Sequence, residues 1–198
     1  MTKTKSDETD IIFRLPTSED GLAVHQLIGR CPPLDTNSIY CNLLHCSHWS
    51  ATSVCAEIDG EIMGFISGYR VPEADDHLFI WQVAVDSRAR GKGLAGRMLR
   101  SILQRRSLGD IRFLQTTINP DNRPSWALFE ALTAELKTEL QTHCLFGRES
   151  HFGGEHEDEI MLTIGPFISS VSKSNASGRP SEAGGRSGSG KAGIVEQV

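Results

Sequence analysis

The chain has 198 residues, 38% of them hydrophobic and 23% charged, which suits one globular domain and excludes a fibrous or wholly disordered chain. Its net charge of −5 argues against nucleic acid held through a general basic field. The longest nearly apolar run, Leu78 to Val85, is broken by Gln82 and falls far short of the ~20 residues that cross a bilayer, so no membrane partner is expected.

Met1 to Asp10 mixes Lys3 and Lys5 with Asp7, Glu8 and Asp10, has no apolar block behind it, and reads as a flexible N-terminus rather than a signal peptide. Ile11 to Leu15 is a short strand, and Pro16 to Asp20 supplies a helix start. Leu22, Ala23, Leu27 and Ile28 form one helical face that Pro32-Pro33 ends. A second helix is expected from Asn37 to His48, with Ile39, Leu43 and Leu44 inward. Thr52 to Ile58 and Glu61 to Val71 read as strands joined by Asp59-Gly60, a strong hairpin cue. Leu78 to Val85 is apolar on both faces and therefore a central strand.

Arg88-x-x-Gly91-x-Gly93 then opens a helix in which Leu94, Ala95, Met98, Leu99, Ile102 and Leu103 recur at helical spacing, with Arg100, Arg105 and Arg106 near its negative end. Ile111 to Thr117 is the next strand, and Asn122-Arg123-Pro124 begins a helix carrying Trp126, Leu128, Phe129 and Leu132. Two further strands are expected between Leu140 and Ile164, around a polar loop from Gly147 to Asp158. From Ser169 onward Gly and Ser dominate without apolar periodicity, which cannot offset chain entropy. The order β-α-α-β-β-β-α-β-α-β-β implies an α/β fold of the α+β kind.

The five cysteines, Cys31, Cys41, Cys46, Cys55 and Cys144, are odd in number and lack C-x-x-C spacing. They read as reduced thiols in a cytoplasmic protein. His143, His151 and His156 lack the paired spacing of a structural zinc site, so no metal is expected.

The chemistry sits where the central strand meets the glycine turn. Two glycines let backbone approach a ligand without Cβ obstruction, and peptide N–H groups in the first helical turn have no intrahelical partner. Together with the helix dipole they form a cradle for a diphosphate. A Walker loop does not fit, because Lys92 is followed by Gly93 and no Gly stands five residues before Gly91. Gly91-x-Gly93-x-x-Gly96 matches a dinucleotide fingerprint formally, but Asp110 precedes a strand where that motif needs an acid ending one.

Arg88, Gly91 and Gly93, followed by Asn122-x-x-Ser125-x-x-Leu128-Phe129, resemble the two signature elements of the GNAT family of acetyl-CoA-dependent N-acetyltransferases. That resemblance implies a mixed six- to seven-stranded twisted sheet flanked by about four helices, spanning residues 11–166, with a disordered tail over 167–198. It implies acetyl-CoA contacts along Val83, Val85, Arg88, Arg90, Gly91, Lys92, Gly93, Leu94, Ala95 and Asn122. The family's usual Tyr proton donor is Phe129 here, which cannot donate. A coenzyme A thiol, with a pKa of about 8.5 by analogy with Cys, leaves tolerably without that help.

Three stretches outside the signature resemble the diaminobutyrate acetyltransferases of ectoine formation. They are Pro33-Leu34-Asp35-x-Asn37-Ser38-x-Tyr40-x-Asn42-Leu43-Leu44, Leu78-Phe79-x-Trp81-Gln82-Val83-Ala84-Val85, and Gly154-x-His156-x-Asp158-Glu159. This implies acetyl transfer to the γ-amino group of L-2,4-diaminobutyrate by a homodimer without metal, as a step toward a compatible solute. Asp35 and Glu159 are candidates for its ammonium groups, Trp81 for its aliphatic stem or a cation, and Tyr40 and His156 for its polar groups. An alkylammonium with a pKa of about 10 is only about one part in a thousand nucleophilic at pH 7, so a base is needed. Glu159, Asp35 and His156 stand as candidates. A peptide or another small amine as acceptor, and a silent acyl-CoA sensor, remain the alternatives.

Overall fold

The computed structural model describes residues 10–168. One seven-stranded mixed sheet carries the fold, in the order β1-β2-β3-β4-β5-β7-β6. The strands are β1 Ile11–Arg14, β2 Val54–Ile58, β3 Glu61–Val71, β4 Ala74–Val85, β5 Phe113–Ile118, β6 Leu140–Phe146 and β7 Glu159–Ile164. Five helices accompany them: α1 Gly21–Gly29, α2 Ile39–Ser47, α3 Leu94–Leu103, α4 Arg123–Leu136 and α5 Arg148–Phe152. The fifth, one short turn more than the sequence implied, lies inside the expected polar loop.

Asp59 and Gly60 both take positive φ, 51° and 78°, the requirement of a tight hairpin between β2 and β3. β4 is fourth of the seven strands and is therefore central, as its apolar run indicated. It begins earlier than expected, at Ala74, because Asp75, Asp76 and His77 hide its start from a hydrophobic pattern. All pairings are antiparallel except that of β4 with β5.

Each sheet face buries its own apolar layer. Ile66, Leu78 and Ile80 pack with Met98 and Leu99 of α3 and Phe129 of α4. Phe65 and Ala84 pack with Val24, Leu27 and Ile28 of α1 and Cys46 of α2.

A bulge in β4 explains how that strand serves both layers. Ser67 of β3 pairs with Gln82 and Gly68 pairs with Ile80, which leaves Trp81 as the extra residue. Before it, Leu78 and Ile80 share the α3 layer; after it, Val83 and Val85 join them while Gln82 and Ala84 turn toward α1.

Two expectations are corrected. Asn37 takes φ 55° and Ser38 caps the helix by accepting from the Cys41 N–H, so α2 starts at Ile39, not Asn37. Its buried face is Asn42, His45 and Cys46 rather than Ile39, Leu43 and Leu44, and Ile39 is 45% exposed. The domain also runs past Pro166: Phe167 is only 4% exposed and its N–H donates to the Arg112 carbonyl at 2.9 Å. The rest of the expected flexible N-terminus (1–10) and of the expected tail (167–198), residues 1–9 and 169–198, lies outside the described residues.

Gly68 is the position where the bulge is least tolerant. A Cβ there would stand 2.7 Å from the Phe79 carbonyl oxygen and 3.3 Å from that of Thr52, both backbone atoms. Gly68→Ala should cost about 1–3 kcal/mol of stability, read as a lowered urea midpoint, and should lower activity by displacing Trp81.

Candidate active site

β4 and β5 pair only from His77 to Phe79 and from Phe113 to Gln115. One further tie holds them, the Thr116 hydroxyl donating to the Ile80 carbonyl at 3.0 Å. Beyond it the strands part, and two adjoining cavities of about 500 and 670 Å³ occupy the cleft and its mouth.

The first cavity lies between the end of β4, the glycine turn and the start of α4. Val83, Val85, Arg90, Gly91, Gly93, Leu94, Ala95 and Asn122, eight of the ten residues that the resemblance implies for acetyl-CoA, border it. Gly91 and Gly93 take φ 77° and 66°, and nothing stands within 4 Å of where a Cβ would project. Gly93 is also the N-cap of α3, and no side chain caps that helix. Its first peptide N–H groups and the positive end of its dipole are therefore available to an anion. Arg90 adds a cation at the wall, its Nε donating to the Val85 carbonyl at 3.1 Å.

Arg88 and Lys92 do not border the cavity. The Arg88 guanidinium is turned away and committed to Asp86 and Glu61, with contacts of 2.7–3.1 Å. The expected phosphate contact by Arg88 is corrected accordingly: two carboxylates outcompete an open rim for its fork of donors.

The second cavity is bordered by Asp35, Trp81, His156 and Glu159, four of the five expected acceptor residues. Asp35 belongs to the segment before α2, and its backbone carbonyl accepts from the buried Gln82 Nε2 at 2.8 Å. Since Ser38 supplies the cap of α2, the Asp35 carboxylate is not spent there. Glu159 opens β7 on the other wall, and its Oε1 accepts from Asn119 Nδ2 at 3.1 Å. Trp81, thrown out by the bulge, is 46% exposed and lies 5.1 Å from His45, 6.2 Å from Trp49 and 6.3 Å from Tyr69 between ring centres. Burial lowers the pKa of His45, which keeps that ring neutral, and raises that of Tyr69. The His156 ring stands 4.7 Å from Phe152, and its Nδ1 is 2.9 Å from the Glu157 carbonyl.

Tyr40 is the exception. It is 70% exposed, off the buried face formed by Asn42, His45 and Cys46, and does not border the cavity.

Pro33, Leu34, Val83, Asn122 and Ser125 border both cavities and mark their junction. Ser125 carries the one hydroxyl among these five and stands one helical turn before Phe129, which is buried. Sequence reasoning passed over Ser125, Asn119 and Gln82. The Asn122–Phe129 element contained a signal for Ser125, whereas the other two act through contacts remote in sequence.

Four of the five thiols are poorly placed to act as nucleophiles, and the exposed Cys144 borders neither cavity. Burial raises the Cys41 thiol and pushes that of Cys46 up to about 12; Cys55 is raised further, and Cys31 donates to the Val85 carbonyl at 3.3 Å. Among the described residues no group of three or more His, Cys, Asp or Glu side chains is arranged to hold a metal ion.

Comparison with known proteins agrees with this geometry. Residues 22–133 match the model of the Acetyltransferase (GNAT) family. An L-2,4-diaminobutyric acid acetyltransferase from Methylotuvimicrobium alcaliphilum is 53% identical over 157 residues, covering 79% of this chain and 91% of that protein. The enzyme of the same name from Halomonas elongata is 39% identical over 162 residues, 81% of this chain and 84% of that one. The solved structure of the diaminobutyrate acetyltransferase EctA from Paenibacillus lautus, in complex with L-2,4-diaminobutyric acid and coenzyme A, matches at TM-score 0.78 and 37% identity over 81% of this chain and 97% of that one. The ribosomal-protein-S18-alanine N-acetyltransferase of Escherichia coli, at 15% identity and TM-score 0.60 over 80% of this chain and 96% of that one, shares the fold alone. A diphosphate cradle at an uncapped helix start, a splayed strand pair and these relatives agree: the chain belongs to the GNAT acetyltransferase family, in the branch named for L-2,4-diaminobutyric acid.

Proposed function

We propose that this protein transfers the acetyl group of acetyl-CoA to the γ-amino group of L-2,4-diaminobutyrate, giving the N-γ-acetyl product of ectoine synthesis. The observation that carries the reading is the junction of an anion cradle with a cavity walled by Asp35 on one side, Glu159 on the other and Trp81 between. The acceptor has two ammonium groups on a short stem. Two carboxylates from separate walls and an aromatic face match that chemistry.

The glycine turn and the first turn of α3 fit the coenzyme's diphosphate, with Arg90 as the nearby cation. Its thioester then supplies an electrophilic carbonyl at the junction, beside the free edge of β4. A peptide N–H near Val83 suits the oxyanion that forms when the amine nitrogen bonds to that carbon. The ammonium must first give up a proton, and Glu159, Asp35 or His156, directly or through water, accepts it. The C–S bond breaks as the amide forms. Ser125 is placed to donate a hydrogen bond to the departing thiolate, a contact that Phe129 is unable to make. No acetyl-enzyme is needed, in keeping with the suppressed thiols.

A reducing cytoplasm suits a protein whose five cysteines are free. No helix among the described residues is long and apolar enough to cross a membrane. A homodimer is part of the same reading. β6 is an edge strand whose residues Gln141 to Cys144 are exposed on both faces, and Phe146 at its end is 42% exposed. Such an edge calls for a cover.

Three outcomes are expected. Thiol release from acetyl-CoA should be fastest with L-2,4-diaminobutyrate and markedly slower with ornithine, lysine and peptides. Turnover on peptides alone would reject the acceptor, and none on any amine would favour a sensor. Asp35→Asn and Glu159→Gln should each lower kcat/KM for the acceptor about tenfold or more while leaving the KM for acetyl-CoA nearly unchanged; pH–rate profiles identical to the parent's in both would remove them from the proton step. Light scattering should give twice the chain mass, and a monomer at micromolar concentration would refute the dimer.

A further inference from the structure

The residue freed from the diphosphate, Arg88, leads to one the signature does not contain. Asp86 directly follows β4 and is 2% exposed, yet its carboxylate is fully engaged. Oδ1 accepts from the Arg88 peptide N–H at 3.0 Å and from Arg88 Nε at 2.9 Å. Oδ2 accepts from Arg88 Nη2 at 3.0 Å and from Arg30 Nε at 3.2 Å. Glu61, on the β2–β3 hairpin, accepts from both Arg88 Nη atoms at 3.1 and 2.7 Å and lies 3.8 Å from Arg30. The Asp86 N–H donates to the Met63 carbonyl at 2.9 Å, which ties the same residue to β3.

A buried carboxylate is costly unless paired, so this arrangement has one well-satisfied geometry rather than many. It sits at the entrance to the glycine turn. Asp86 is the N-cap of the 3-10 turn Ser87–Ala89, which delivers the chain to Arg90, Gly91 and Gly93. Glycines have no side chain to hold their own conformation, so their position is inherited from what precedes them.

We propose that Asp86 is a positioning residue for acyl-CoA. With Arg30, Arg88 and Glu61 it fixes where the turn presents its peptide N–H groups to the diphosphate. The proposal rests on the first cavity being the acyl-CoA site. Because the brace touches neither the thioester nor the acceptor, it acts on donor binding and only where the donor carries a diphosphate.

The test uses Asp86→Ala and the milder Asp86→Asn in the full-length protein, with two donors: acetyl-CoA, and S-acetylpantetheine, which keeps the thioester arm but has no nucleotide diphosphate. For Asp86→Ala the KM for acetyl-CoA should rise about tenfold or more, with kcat within about twofold of the parent's. Asp86→Asn, which retains an acceptor for the Arg88 N–H, should fall between. Calorimetric affinity for coenzyme A should weaken in the same order, while kcat/KM on S-acetylpantetheine stays at the parent's value. Equal losses on both donors would mean general damage and overturn the proposal, as would an unchanged KM for acetyl-CoA. A larger loss of coenzyme A affinity in Arg88→Ala than in Asp86→Ala, with a weaker salt dependence, would return Arg88 to the phosphate and overturn it too. Failure of the parent to bind coenzyme A would instead sink the reading of the cavity, and the proposal with it.

Discussion

The parting of β4 from β5 is the constraint on which the site depends. A central strand normally satisfies its peptide groups on both edges, and unpaired ones are costly when buried. Here the ladder to β5 ends at Phe79 and Gln115, six residues before β4 itself ends at Val85. The protein covers part of the loss with side chains: Thr116 bonds the Ile80 carbonyl, while Arg90 and Cys31 bond that of Val85. What is left between them is a stretch of extended backbone facing a cleft, able to align an extended ligand as a neighbouring strand would. The bulge at Trp81 works within that stretch, since it brings the indole and Gln82 to the same side of the sheet, where both border the second cavity.

The parts of the site legible in the sequence are those whose chemistry is local. A strand, two glycines that must take positive φ, and an uncapped helix all fall within residues 78–96, so spacing alone disclosed the cradle. Asp35 and Glu159 came instead from the resemblance of their stretches to the diaminobutyrate acetyltransferases, since spacing and periodicity alone do not single them out. The unreadable parts depend on contacts distant in sequence. Gln82 reaches Asp35 across 47 residues, Arg30 reaches Asp86 across 56, and Asn119 reaches Glu159 across 40. Arg88 was misassigned on the same account, as its partner Glu61 stands 27 residues away. α2 failed differently: a left-handed Asn37 and a Ser38 cap start the helix at Ile39, its buried face of Asn42, His45 and Cys46 is one that an apolar pattern does not mark, and Tyr40 lies at the surface.

One short segment connects these observations. Arg30 to Asp35 runs along the end of β4, tied by Arg30 to Asp86, by Cys31 to the Val85 carbonyl and by the Asp35 carbonyl to Gln82. Cys31 and Pro32 border only the first cavity, Asp35 only the second, and Pro33 and Leu34 both. A single stretch of chain thus walls the first cavity and places a carboxylate-bearing residue on the second. Its three anchors all lie on β4 or directly after it, the strand whose free edge is offered to the thioester. Positional error between the two substrates is thereby limited to what one strand allows, and bringing reacting atoms into register is where much of an acyl transfer's rate advantage arises. The same arrangement explains why the chemistry can dispense with a protein nucleophile. A covalent relay is useful when donor and acceptor bind in turn at one place; here the two cavities meet, and the amine has a direct line to the carbonyl.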